Sequence, residues 1–229
     1  MLELNPISAE TLNEKAYFEL RNAIMTARLL PGESVSLRRL AKALGTSPQP
    51  IRDAVRRLVS EKALEALPNR TLRVPELARE RFEELWQMRV LLEGEAAALA
   101  AKKITEKDLE LLRHVNDRMN AAAADNDLPT VFEYNQKFHF MVYQAAGNEI
   151  LLSLIENLWL LAGPYMTIPL QHYSRADQRP KQITTTHHDE LLDALHSRSS
   201  SLARKAIKAD ISAIAKRVLE IKKLQPKAS

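Results

Sequence analysis

Cysteine is absent from these 229 residues. Its absence excludes disulfides, thiolate nucleophiles and thiolate metal sites, and fits a reducing, cytoplasmic setting. Glycine is scarce, at 5 beside 11 prolines, and alternating β-branched runs are few, which points to a mainly α-helical chain. No apolar run approaches the roughly 18 residues that a membrane span needs, so no membrane partner is expected. The opening MLELNPISAE lacks the basic region and apolar core of a secretory signal. Internal repeats and low-complexity tracts are missing as well. What is present is 45% hydrophobic content, enough for ordered cores, in a length that holds two modest domains or one large one.

The most informative stretch is 36–59, SLRRLAKALGTSPQPIRDAVRRLV. Leu37, Leu40, Ala41 and Leu44 recur at helical spacing, and Gly45 suits the left-handed residue that ends a helix. Ser47 is placed to cap a second helix whose first turn contains Pro48. In that helix Ile51, Ala54, Val55, Leu58 and Val59 form one apolar stripe. Gln49, Arg52, Arg56 and Arg57 are left on the outer side. A basic outer face is by itself either solvated surface or a DNA-reading face. Arginine pairs with guanine and glutamine with adenine through two hydrogen bonds each, so the pair of helices reads as a helix-turn-helix.

Residues 63–75, ALEALPNRTLRVP, change period. Leu64, Ala66, Leu72 and Val74 flank the polar turn Pro68-Asn69-Arg70-Thr71, which reads as a small hairpin with Arg70 at its tip. Such a wing touches phosphate or a minor groove. Charge agrees. Residues 36–73 hold nine basic and three acidic side chains, a surplus of +6 against +4 for the whole chain. The basic surplus sits in the winged helix-turn-helix, as expected of a DNA binder.

From about residue 79 helical patterns dominate, and the domain boundary is expected near Pro75–Arg79, giving 1–75 and 76–229. RERFEELWQMRVLLEGEAAALAAKK is one long helix. Thr105 with Asp108 is a capping-box-like start for the next. Asp127-Leu128-Pro129 opens a third that ends near Gly147. A fourth, 148–162, is expected to break at Gly163-Pro164, with a loop or broken helix over 163–182. Helices near 183–197 and 200–224 complete an all-helical bundle.

Three of these helices carry polar groups inside apolar stripes. Asn135 and His139 lie one turn apart beside Phe132, Tyr143 and Ala146. His188 shares a face with Leu191, Leu192 and Leu195. Asp210 sits among Ala203, Ile207, Ile214 and Ile221. Burying such groups costs free energy unless they have partners. Either they pair with one another, or they converge on a divalent metal, Zn²⁺ or Ni²⁺, for which imidazole and carboxylate are ordinary ligands. His172, His187 and His196 read as surface. On the first long helix Arg89 and Glu93 lie one turn apart on the stripe of Phe82, Leu85, Ala96 and Ala100. They are either an intrahelical ion pair or a pocket wall where Arg89 takes an effector's carboxylate.

These motifs together resemble the GntR family of bacterial transcription regulators, in the subfamily named after FadR, over nearly the whole chain. The first part resembles its winged-helix pattern in Leu40-Ala41, Leu44-Gly45, Ser47, Ile51-Arg52-Asp53-Ala54-Val55, Leu58-Val59, Pro68-Asn69-Arg70 and Val74. The DNA-reading residues this implies are Arg38, Ser47, Gln49, Arg52 and Arg70, with Arg56 on the same outer face. Lys62 and Thr71 stand where the family has glycine. The second part resembles the helical effector (FCD) domain of the six-helix branch. Arg89, Glu93 and Ala97, then Asn135, His139 and Gly147-Asn148, then His188, Leu191, Ala194 and Leu195 carry the likeness. The implied metal ligands are Asn135, His139, His188 and Asp210. The family has Asp at the position of Asn135 and His at that of Asp210.

The expected function is ligand-responsive transcription regulation rather than catalysis. A homodimer would bind double-stranded DNA at a palindromic operator, its affinity set by a small carboxylate metabolite in the helical domain. The competing readings are a metal-dependent hydrolase that carries a basic domain, and a constitutive architectural or RNA-binding protein with a filled core.

Overall fold

The computed structural model describes residues 12–68, 71–169, 172 and 185–222. Their contacts divide into two compact units. One takes in residues up to Ile24 together with Leu29–Glu76, the other Met25–Arg28 and the chain from Leu77 onward.

Among the described residues the first unit has three helices and three short strands: α1 (Leu12–Met25), β1 (Ser34–Ser36), α2 (Leu37–Ala43), α3 (Pro48–Ser60), β2 (Glu65–Leu67) and β3 (Thr71–Arg73). Ser36 caps α2 by accepting from the Arg39 amide at 3.2 Å. Gly45 follows with φ +61°, the left-handed turn that glycine adopts without a Cβ clash. Ser47 occupies the cap position of α3, but its side chain makes no cap hydrogen bond. Pro50 stands at the third helical position and has no amide proton to offer the hydroxyl. Ile51, Ala54, Val55 and Leu58 of α3 are buried with Leu40 and Ala41 of α2, and Val59 is half-buried. β3 pairs antiparallel with both β1 and β2, the second pairing in the register Glu65↔Arg73, Ala66↔Leu72 and Leu67↔Thr71. The hairpin is therefore present, and β1 completes a three-stranded sheet of order β1-β3-β2. Sequence periodicity indicated neither β1 nor α1. Helix α1 is held to α3 by polar contacts: the Tyr17 hydroxyl donates to Glu61 at 2.8 Å, and Asn13 donates to Asp53 at 3.3 Å.

The second unit holds six helices among the described residues: α4 (Arg79–Lys103), α5 (Glu106–Ala124), α6 (Leu128–Ala145), α7 (Glu149–Met166), α8 (Thr185–His196) and α9 (Ser200–Lys222). Helix α4 packs against α6, α7, α8 and α9. Its Ala96, Ala97, Ala100 and Ala101 are all fully buried, and such short side chains allow neighbouring backbones to come close. The capping box is present at α5, where Thr105 and Asp108 exchange hydrogen bonds with each other's backbone amides. Asp127 caps α6 by accepting from Thr130.

One expectation is corrected. The fourth helix of this unit does not break at Gly163-Pro164 but runs through to Met166. Pro164 falls in the last turn, where it removes a single ladder hydrogen bond. Gly163 is there for close packing: a Cβ on it would lie 2.6 Å from the Met25 backbone. Residues 170, 171 and 173–184 of the expected loop lie outside the described residues.

Candidate functional site

The first unit presents a basic helix face. Burial of Ile51, Ala54, Val55 and Leu58 leaves Gln49, Arg52 and Arg56 exposed on α3, and Arg38 is exposed on α2. These side chains differ in how free they are. Asp53 takes Arg56 at 3.3 Å and Gln49 at 3.5 Å. Arg57 is turned along its own unit: it binds Glu61 at 3.1 Å and stacks over the Tyr17 ring at 3.7 Å. Among the described residues, Arg38 and Arg52 have no hydrogen-bond or ion-pair partner. The exposed Ser47 hydroxyl lies at the N-terminus of α3. Arg70, the expected wing tip, lies outside the described residues.

The second unit brings together the polar groups that interrupted its apolar stripes. His139 from α6, His188 from α8 and Asp210 from α9 place one donor atom each within 4.8 Å of one another. His139 Nε2 is 3.2 Å from His188 Nε2 and 3.4 Å from an Asp210 oxygen. Asn135 lines the same cavity, with Arg89, Val131, Phe132, Met166, Ile211 and Ile214 completing its wall. The open space is ≈ 30 Å³, room for about two water-sized groups. Of the expected surface histidines, His172 and His196 are exposed. His187 is part-exposed and bonded to Glu190 at 3.0 Å.

The protons on the two imidazoles are assigned by their partners. Asn116, buried on α5, donates its amide NH₂ to the Asp189 carboxylate at 2.9 Å. A carboxylate only accepts, so the Asn116 oxygen faces His188 Nδ1, 3.2 Å away, and that nitrogen carries the hydrogen. On the other side the Tyr143 hydroxyl donates to Glu93, so its oxygen accepts from His139 Nδ1 at 3.0 Å. Both Nε2 atoms are thereby left with bare lone pairs, and they face each other and Asp210. Burial pushes the pKa of His139 well below its usual value and that of His188 down to about 3, so both rings are neutral. Burial also raises Asp210 to about 6. Phe138 stacks on the His188 ring, 4.1 Å between centroids and 9° between planes, which fixes its orientation.

The intrahelical ion pair of Arg89 and Glu93 is present, and Arg89 also lies on the cavity wall. Arg89 donates to Glu93 through Nε at 2.7 Å and Nη2 at 3.3 Å, with both side chains buried. Glu93 also accepts from Trp159 Nε1 at 3.0 Å and from Tyr143. The remaining Arg89 nitrogen, Nη1, is buried without a hydrogen-bond partner, and Arg89 forms part of the cavity wall. A guanidinium edge of that kind is suited to an anion.

Sequence reading missed Asn116, Trp159 and Asp189 and took Tyr143 only for a packing neighbour. Asn116 carried the same signal that exposed His139: an amide within the buried stripe of Leu109, Leu112, Val115 and Met119.

Residues 84–213 match the FCD domain, and residues 12–74 match bacterial regulatory proteins of the gntR family. The HTH-type transcriptional regulator McbR of Escherichia coli K12 is 32% identical over 146 residues, 64% of this chain and 66% of that protein. The alignment thus spans just under two thirds of McbR. The solved structure of E. coli McbR/YncC superposes with a TM-score of 0.83 at 26% identity, covering 93% of this chain and 100% of the other. The HTH-type transcriptional repressor RspR of the same strain is 24% identical over 220 residues, 96% of this chain and 93% of RspR.

Proposed function

The chain belongs to the GntR family of bacterial regulatory proteins and carries an FCD effector domain, and from that premise we propose that a small carboxylate, held through a divalent metal, controls its binding to DNA. That it is a transcription regulator rather than an enzyme follows from its family and relatives, which give the hydrolase reading no support. The metal, the effector, the homodimer, the cytoplasmic setting and the individual contacting residues are the proposal.

One observation carries it: His139, Asp210 and Arg89 line one cavity, His188 Nε2 lies 3.2 Å behind it against His139 Nε2, and Arg89 keeps one buried nitrogen without a hydrogen-bond partner. Two neutral acceptors 3.2 Å apart with no hydrogen between them are unfavourable in a buried place. A cation removes that conflict. Nitrogen and oxygen donors without thiolate fit a borderline ion, Zn²⁺ or Ni²⁺. Asn135, His139, His188 and Asp210 would hold it. A bound ion would supply a positive centre for a carboxylate. Arg89, on the same wall, would bind and orient that carboxylate, and the apolar wall of Val131, Phe132, Met166, Ile211 and Ile214 would select a short apolar body and exclude water.

On the DNA side, Arg52 and Gln49 read base edges in the major groove, Arg38 and the Ser47 hydroxyl meet phosphate, and Arg56 and the wing at Arg70 add charge. A homodimer places two such faces on the half-sites of a palindrome. Control requires that the carboxylate bind the DNA-competent state and the other state unequally. The test is selection of genomic fragments by the full chain, followed by fluorescence anisotropy on the selected site with Zn²⁺ or Ni²⁺ and a panel of short carboxylates. Arg52→Ala is expected to cost about 1–3 kcal/mol and to narrow the gap to random DNA. If no carboxylate changes the affinity with either metal present, the effector reading fails.

A further inference from the structure

Two hydrogen-bond chains reach the facing imidazoles from opposite sides. One runs from His139 Nδ1 to the Tyr143 hydroxyl and on to Glu93. The other runs from His188 Nδ1 to the Asn116 oxygen, with the Asn116 amide bound to Asp189. Each ends on a carboxylate, which accepts and cannot donate. That terminus orders every bond before it and pins the hydrogen of each ring to Nδ1.

An alternative arrangement competes. If either ring moved its hydrogen to Nε2, it would donate to the other ring's Nε2 across the same 3.2 Å gap. The pair would then be satisfied without any ion, and both donor atoms would be lost to a metal. With the hydrogens on Nδ1, that bond cannot form.

We infer that Tyr143 and Asn116 are positioning residues that hold both histidines in the Nδ1–H tautomer and so prevent the site from closing on itself. The inference rests on the proposed metal for its purpose, though the tautomers exist independently of it. Neither residue touches the cavity as a ligand. Tyr143 acts through His139 and Asn116 through His188. Burial keeps both in place: Tyr143 is 1% and Asn116 2% exposed, and Tyr143 stays a donor because burial and then Glu93 raise its hydroxyl well above the usual tyrosine value.

The full chain, stripped of metal and labelled with ¹⁵N-histidine, gives the decisive spectrum. A long-range ¹H–¹⁵N correlation distinguishes a protonated Nδ1 from a protonated Nε2. Bare Nε2 on both buried rings is expected, and Nε2–H on either ring overturns the inference whatever the protein binds. Tyr143→Phe and Asn116→Leu should then shift His139 and His188 respectively toward Nε2–H. Each should also weaken Zn²⁺ binding, read by competition with a chromogenic chelator, by about 10–100-fold, the usual effect of losing a partner behind a ligand. Circular dichroism shows whether each variant keeps its helices, and two variants on different helices guard against one that does not fold. Unchanged Zn²⁺ affinity in both folded variants overturns the inference. Bare Nε2 atoms in a parent that binds neither Zn²⁺ nor Ni²⁺ would instead sink the metal reading and leave the tautomer lock standing.

Discussion

Replacing Glu93 with alanine should be among the most damaging single changes available in the helical unit. The carboxylate is fully buried and accepts from Arg89 Nε and Nη2, Trp159 Nε1 and the Tyr143 hydroxyl. Without it a guanidinium that is 2% exposed has no counter-charge. Removing one partner of a buried pair costs about 3–5 kcal/mol, and orphaned neutral donors cost about 1–3 kcal/mol each where nothing replaces the acceptor. All four bonds share one acceptor and do not add, so the pair figure sets the scale, about 3–5 kcal/mol. For a chain of this size that lowers the unfolding midpoint by roughly 6–20 °C. Both tryptophans, Trp86 and Trp159, lie on helices of this unit, so their fluorescence during heating or urea unfolding reports the helical unit. The double replacement Arg89→Leu with Glu93→Leu is the control, because apolar residues of similar volume often replace a buried ion pair at little cost. A Glu93→Ala loss below about 1 kcal/mol, or a double variant as weak as the single one, would refute the view that an uncompensated charge drives the effect.

Lys62 has φ +62° where only glycine is unstrained, so Lys62→Gly should stabilise the first unit by about 0.5–1 kcal/mol in chemical unfolding; no gain would mean the turn is not strained. Arg57→Ala should weaken operator binding far less than Arg52→Ala in anisotropy titrations, because Arg57 is engaged by Glu61 and Tyr17, and equal losses would contradict that division. The metal-free protein should lose stability in urea as pH falls from 6.5 to about 4.5. Unfolded histidines take up protons near 6.5, whereas folded His188 does so only near 3 and His139 well below its usual value, so their contribution is present above 6.5 and lost on acidification. Asp210, raised from 3.8 to about 6, acts with the opposite sign over 3.8–6, and one carboxylate offsets only part of two histidines. Stability that stays flat or rises on acidification would contradict these assignments.

The fold was legible where periodicity and punctuation agreed. The residues 79–103 were readable as one helix, Thr105 with Asp108 as a cap, and the α2–α3 pair with Gly45 between them, because each signal is local. Helix α1 escaped notice because its buried face is a mix of Ala16, Tyr17, Leu20 and Ile24, tied to α3 partly through polar groups. Strand β1 is three residues long and exists only because β3 offers it an edge. Gly163-Pro164 misled because the same dipeptide that breaks an exposed helix can serve close packing within a buried one.

The candidate site was legible as far as its first layer. His139, His188 and Asp210 announced themselves as polar groups in apolar stripes, and the structure brings them to one point, with Asn135 on the same cavity wall. Arg89 was ambiguous in sequence because a guanidinium has three nitrogens: two serve Glu93, and the third is buried without a hydrogen-bond partner. The layer behind was not legible. That Asn116 backs His188 depends on how α5 packs against α8, 72 residues away in the chain, and no local pattern encodes that pairing.

The most direct test of the buried site is the metal content of the full chain after incubation with Zn²⁺ or Ni²⁺ and exhaustive dialysis, measured by elemental analysis beside the His139→Ala/His188→Ala variant. About one ion retained per parent chain and none per variant chain is expected, since losing two ligands leaves too few donors for tight binding. A parent chain that retains neither metal, or a variant that retains as much as the parent, would contradict a metal centre at His139, His188 and Asp210.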